Sequence, residues 1–136
     1  MINVGFTCGA FDLLHPGHLV MLKQCKDRCD WLIVGLHTDP SIDRPEKNKP
    51  IQTMYERWIQ LNSCVYVDQI IPYDTEHDLF NMMATLDINI RFVGSDHRDS
   101  MITGDAICDV RKIAIVFNDR YHDYSSSYLR ERIKNG

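Results

Sequence analysis

Residues 5–22 read "GFTCGAFDLLHPGHLVML". A short apolar run meets a glycine-bearing turn, then an acid, then two histidines at i and i+3 around Pro16 and Gly17. That order fits a strand that ends where a helix begins. Proline suits the first helical turn because its missing N–H would be unpaired there anyway. The first-turn amides and the positive end of the helix dipole make such a junction an anion pocket. His15 and His18 both point toward it if the turn is helical. Gly17, with no Cβ, leaves the backbone open to a close ligand. Two imidazole donors beside free amides suit a phosphate chain whose charge grows during reaction. Asp12 is near enough in sequence to orient a histidine or help hold a metal ion. A plainer reading has His15 capping the loop and His18 beginning a buried helical stripe.

The rest of the chain sets that junction in a sheet. At 136 residues, 44% hydrophobic and 25% charged, it has the length and composition of one globular domain spanning 1–136. Apolar runs at Ile2–Phe6, Trp31–Leu36, Gln69–Pro72, Ile90–Val93 and Ile113–Phe117 read as strands. "WLIVGL" is nearly all apolar, as expected for a strand covered on both faces of a parallel sheet. Helix patterns lie between. Gly17–Cys29 places His18, Leu22, Cys25 and Cys29 on one face. Thr53 with Glu56, and Thr75 with Asp78, are capping boxes. They precede stripes of Met54, Trp58, Leu61 and Val65, and of Leu79, Met82, Met83 and Leu86. The serines at 125–127 open a last helix carrying Leu129 and Ile133. This alternation implies a three-layer α/β domain with a mostly parallel sheet, which binds ligands beyond the carboxyl ends of its strands.

Composition also excludes classes. A net charge of −4 argues against a nucleic-acid surface. No apolar run approaches the ~20 residues of a membrane span, and Met1 leads into a strand-like segment rather than a signal peptide. Five cysteines with no CxxC pair favour reduced thiols in a cytoplasm.

"GAFDLLHPGH" resembles the GxFDxxHxGH signature of the cytidylyltransferases, within the wider HxGH nucleotidyltransferase superfamily, and the chain is especially similar to the short bacterial enzymes acting on glycerol 3-phosphate. The resemblance implies a Rossmann-like fold, a homodimer, magnesium, and transfer of CMP from CTP to a phosphorylated alcohol with release of pyrophosphate. It also implies site residues. Cys8, Gly9, Ala10, Phe11, Asp12 and Gly17 would surround the nucleotide with His15 and His18. "NDRYHDYSSSYLRERI" is similar to the family's RTxGISTT segment, with Arg120 at its arginine and Ser125, Ser126 and Ser127 at its Ser-Thr-Thr run. There Tyr121 and Tyr124 replace Thr and Ile, and Tyr124 joins the nucleotide group. A lysine from "DRPEKNKP", Lys47 or Lys49, would close over the phosphates. Gly94 and Asp96 in "FVGSDH" would lie near the nucleotide, and Thr38, Asp39, Arg57 and Asp68 would serve the acceptor. Outside the resemblance, each of these has an ordinary role: a serine N-cap, a solvated charged loop, turn acids.

Three positions depart from the pattern. Ala10 stands for the usual threonine of GTFD, His97 for a frequent tryptophan, and Val65 for an arginine of the glycerol-phosphate enzymes. The acceptor is therefore open: glycerol 3-phosphate, or a phosphorylated amino alcohol, sugar or acid, with ATP as an alternative donor. A reading from another class is a metal-dependent hydrolase built on His15, His18, His37, His97 and His122, which lack a ligand spacing such as HExxH. A nucleotide sensor without catalysis is another.

Overall fold

A computed structural model describes residues 1–95, 102–119 and 126–136, with Ser126 described by its backbone alone. The chain alternates β1 (Val4–Gly9), α1 (Pro16–Lys26), β2 (Trp31–His37), α2 (Met54–Asn62), β3 (Gln69–Tyr73), α3 (Glu76–Thr85), β4 (Ile90–Gly94), α4 (Asp105–Val110), β5 (Ala114–Asn118) and α5 (Ser126–Asn135). The five strands form one sheet in the order β3-β2-β1-β4-β5, and every pair is parallel. This is the α/β architecture with a parallel sheet expected from the alternation, and the Rossmann-like fold that the resemblance implies.

The apolar strand runs are explained by two separate cores. Leu32, Val34 and Leu36 point to one face and pack with Leu22 and Cys25 of α1 and Leu61 of α2. Phe6 and Ile33 point to the other and pack with Leu79 and Met83 of α3 and Cys108 of α4. Alternation along a strand thus feeds both layers, and neither face tolerates a polar run.

The order places β1 centrally, with the chain winding outward through β2 and β3 and then returning to β4 and β5. The direction reverses between β1 and β4. At that switch point the loops beyond the carboxyl ends diverge and open a crevice.

Both sequence-read capping boxes are present in full: Thr53 with Glu56, and Thr75 with Asp78. The α2 stripe differs from expectation. Met54 and Leu61 face inward, but Trp58 is 39% and Val65 83% exposed, and Arg57 takes the inner place at 2%. The short α4 carries no apolar periodicity long enough to read, and its N-cap, Gly104 at φ 82°, contributes no side-chain cap. Among the described residues no helix is long and apolar enough to cross a membrane.

Leu22 is wholly buried where α1 meets the sheet. Leu22→Ala should cost ~2–5 kcal/mol in urea unfolding. A loss under about 1 kcal/mol, the scale of a surface change, would contradict this packing.

Candidate active site

The opening motif folds as a strand, a strained turn and a helix start. Phe11 and Leu13 have φ of 49° and 51°, the left-handed region that non-glycine residues seldom occupy. Such turns persist only where their surroundings hold them. Here Leu13 N donates to Gln52 Oε1 at 2.8 Å, and Asp12 accepts from the amides of Ile51 at 2.8 Å and Gln52 at 2.9 Å. Arg130 of α5 reaches the same carboxylate at 2.6 Å. Asp12 therefore ties the motif to the β2–α2 connection and to the last helix.

The histidines cap α1 reciprocally. Gly17 N donates to His15 Nδ1 at 3.0 Å, and His15 N donates to His18 Nδ1 at 3.2 Å. The amides of His18 and Leu19 both turn to His15 O. The first-turn amides expected to cradle an anion are thus engaged within the turn. Because each Nδ1 accepts, each neutral ring carries its proton on Nε2. The rings stack with centroids 3.9 Å apart, and Phe11 lies 5.4 Å from His18. Burial, then the neighbouring His15, lowers the His18 pKa from 6.5 to about 3, with Asp12 opposing. His18 is neutral at physiological pH. The capping and functional readings of the pair turn out to be compatible, since the cap sets the tautomer.

Arg57 explains the inverted α2 stripe. Its guanidinium donates to the carbonyls of Gln52, Ala10, His37 and Thr38 at 2.7–3.2 Å. It gathers the ends of β1 and β2 and the connection before α2. Its donors are directed to backbone, so the acceptor role implied for it gives way to a structural one. Thr38 and Asp39 stand beside it at the end of β2. Thr38 Oγ1 donates to Asp74 at 2.7 Å, and Asp39 accepts from Ser41 in a local turn.

Asp68 is a correction. It precedes β3, accepts from Leu32 N at 2.8 Å and pairs with Lys26 at 2.7 Å. That is the amino edge of the parallel sheet, a strand's length from the histidines. It lies outside the crevice. Val65, on the same connection, is likewise remote from it.

The crevice is a cleft of about 510 Å³ lined by Cys8 and Gly9 at the end of β1 and by Ala10 just after it, with Phe11, Asp12, His18 and Gly94 beside them. Lys47 lines it; Lys49 is exposed on the same loop and acts on Asp39 electrostatically. His15 sits behind His18, 9% exposed. Sequence reasoning missed Arg44, Glu76, Arg91 and Arg130, all of which line the cleft. The charged residues of the described lining are Asp12, Arg44, Lys47, Glu76, Arg91 and Arg130, so cations outnumber carboxylates in a chain of net charge −4. Such focusing favours an anionic ligand.

Burial disfavours the thiolate at Cys8 and Cys25. Burial raises Cys8, with Arg91 opposing, and drives Cys25 up to about 12. His37 contacts Asp74 O at 3.1 Å and stacks on Tyr73. Among the described residues no three His, Cys, Asp or Glu could hold a metal, so the hydrolase reading gains no support there. Asp96, His97, Arg120, Tyr121, His122, Tyr124 and Ser125 lie outside the described residues. Ser127 is exposed on the first turn of α5.

A family model described as Cytidylyltransferase-like matches residues 6–132. The Bifunctional protein HldE of Hyphomonas neptunium is 32% identical over 136 residues, covering 99% of this chain and 28% of that protein. The protein of the same name from Paramagnetospirillum magneticum is 37% identical over 103 residues, covering 75% and 21%. The chain thus spans at most 28% of the length of these curated relatives. Among solved structures, the lipopolysaccharide core biosynthesis protein from Thermoplasma volcanium shares the fold. It aligns with a TM-score of 0.73 at 23% identity, covering 90% of this chain and all of that one.

Two outcomes test the site's construction. Arg57→Met keeps an apolar stem but strips four carbonyls of their donor, and should cost about 3 kcal/mol or more in urea unfolding; a change below ~1 kcal/mol would remove Arg57 from this role. For His18 the folded pKa lies below the unfolded value of 6.5. The unfolded chain then binds the proton first, so this contribution is whole above 6.5 and is lost as pH falls toward about 3. The loss of stability below pH 6.5 should be shallower in His18→Asn than in the parent, and equal slopes would contradict the assignment.

Proposed function

Since the chain belongs to the cytidylyltransferase-like family, we propose that it transfers CMP from CTP to a small phosphorylated alcohol, with glycerol 3-phosphate the first candidate. A phosphate oxygen of the acceptor attacks the α-phosphorus of CTP and forms a new P–O bond. The bond from that phosphorus to the oxygen bridging toward the β-phosphorus breaks, and pyrophosphate leaves from the opposite side. The nucleophile is already an anion, so no side-chain nucleophile or strong base is required. The protein must align two mutually repelling anions and stabilise charge at the crowded phosphorus.

The observation that carries this reading is the reciprocal histidine cap at the rim of a cation-rich cleft. A neutral ring whose Nδ1 is turned to the backbone offers Nε2–H from its other edge. A donor fixed in advance costs no reorganisation when charge develops. His18 lines the cleft and would meet the triphosphate near its α- and β-phosphates. His15 would hold the stack and the tautomer from behind. Lys47 would bring charge across the opening once substrate is bound. The Arg120 and Ser125–Ser127 segment remains assigned to the outer phosphates by resemblance.

Magnesium in this reading would enter on the phosphate oxygens, as that ion commonly does, and offset their charge. The Asp12 oxygens are engaged by two amides and Arg130, so the protein-side fit for the ion is poor there and no residue is assigned to it. A cytoplasmic homodimer is part of the same proposal.

A second reading keeps the chemistry and changes a substrate, either the acceptor or, with ATP, the donor. The acceptor stays open because position 65, where glycerol-phosphate enzymes carry an arginine, holds an exposed Val65 away from the cleft and gives no support to glycerol 3-phosphate.

The test is incubation with magnesium, each of the four nucleoside triphosphates and a panel of phosphorylated acceptors, reading pyrophosphate release and product mass. A CDP-linked product is expected; no pyrophosphate from any combination would refute nucleotidyl transfer. His18→Ala should lower kcat by roughly 10²-fold or more, as does loss of one oxyanion donor, and unimpaired turnover would reject its role.

A further inference from the structure

The cleft has two unlike walls. One, on the α1 face of the sheet, carries His18, Phe11 and the Asp12–Arg130 pair. The other, on the α3 face, carries a polar triangle that no motif pointed to. Arg44 Nη2 lies 3.2 Å from Glu76 Oε1, and Thr103 Oγ1 donates to Glu76 Oε2 at 2.8 Å. Beneath it, the buried Arg91 donates to the Thr103 carbonyl. The triangle is joined to the lysine loop. Lys47 N donates to Arg44 O at 2.9 Å, and Glu76 N donates to Asp43 at 2.7 Å, so the β2–α2 connection rests on the start of α3.

We propose that Arg44, Glu76 and Thr103 determine acceptor specificity, selecting a phosphorylated polyhydroxy compound over a phosphorylated amino alcohol. The proposal rests on the nucleotidyl-transfer reading for its placement. In-line displacement puts the entering and leaving oxygens on opposite sides of the α-phosphorus. With the triphosphate on the histidine wall, the acceptor approaches from the α3 wall.

The chemistry of the wall sets what it accepts. The side chains of Arg44 and Glu76 are 39% and 27% exposed, and an ion pair of that exposure is weak enough for a ligand to exchange into. A ligand hydroxyl can donate to the Glu76 carboxylate and accept from Arg44, replacing the bond of the Thr103 hydroxyl with one of the same kind. Several hydroxyls along a chain can repeat this across the triangle. An ammonium group can donate to Glu76 or to the Thr103 hydroxyl, but it offers Arg44 no acceptor. It would meet the guanidiniums of Arg44 and Arg91 with no further carboxylate among the described lining of this wall, and like charges at close quarters select against it.

The experiment pairs binding with turnover in the parent, Glu76→Ala and Thr103→Val. Thermal shifts are recorded with CTP, glycerol 3-phosphate, a hexose phosphate, phosphoethanolamine and phosphocholine, each alone. Pyrophosphate release then gives KM for each substrate. We expect the parent to be stabilised by polyol and sugar phosphates and not by the amino-alcohol phosphates. Both variants should raise the acceptor KM at least 10-fold and abolish its thermal shift. The CTP shift and CTP KM should stay within twofold, which also shows that the variants are folded. An acceptor KM within twofold of the parent would overturn the triangle while leaving nucleotidyl transfer intact. So would a parent that takes phosphoethanolamine equally well, or variants that change the CTP KM instead. If no pyrophosphate forms at all, loss of the polyol-phosphate shift in both variants would still uphold the triangle, and its retention or absence from the parent would overturn it.

Discussion

The site depends on a helix that begins with its own histidines as caps. An N-terminus leaves amides without intrahelical partners, and serine, threonine, aspartate or asparagine normally takes one of them. Here the Gly17 and His15 amides go to the Nδ1 atoms of His15 and His18. The backbone bonds that stabilise α1 also dictate where each ring keeps its proton. The helix start ceases to present bare amides and instead presents imidazole edges. Burial keeps His18 neutral, so it acts as a hydrogen-bond donor whose strength does not vary with pH across the physiological range.

A cap of this kind is only as exact as the turn beneath it, and that turn is strained. Two polar residues over-determine it. Asp12 collects the amides of Ile51 and Gln52 and the guanidinium of Arg130, while Arg57 collects four carbonyls from three segments. Together they lock the end of β1, the end of β2, the lysine-bearing connection and the last helix into one frame at the sheet's switch point. Substrate groups would then meet a fixed floor and, through Lys47, an exposed rim.

Much of this was legible in the sequence. The strands announced themselves because both sheet faces are covered, and Thr53 and Thr75 marked two helix starts by local chemistry alone. What failed was nonlocal. Trp58 looked like core and Arg57 like a ligand contact, because the carbonyls that make an arginine the better inner residue come from strands far away in the chain. Asp68 could have been set aside at once, since it precedes its strand while ligands sit beyond carboxyl ends. Arg91 had a readable signal, a lone cation inside the apolar run of β4. Glu76 and Arg44 had none, being ordinary charges until α3 and the β2–α2 connection are brought together.

The most direct measurement is of the ring protons themselves, by long-range nitrogen–proton NMR of the histidines at neutral pH, with and without CTP. We expect both rings neutral with Nε2 protonated and Nδ1 bare, and the Nε2 signal of His18 displaced by the nucleotide. A proton on Nδ1 of either ring, or a His18 signal indifferent to saturating CTP, would contradict the reciprocal cap as the origin of the site.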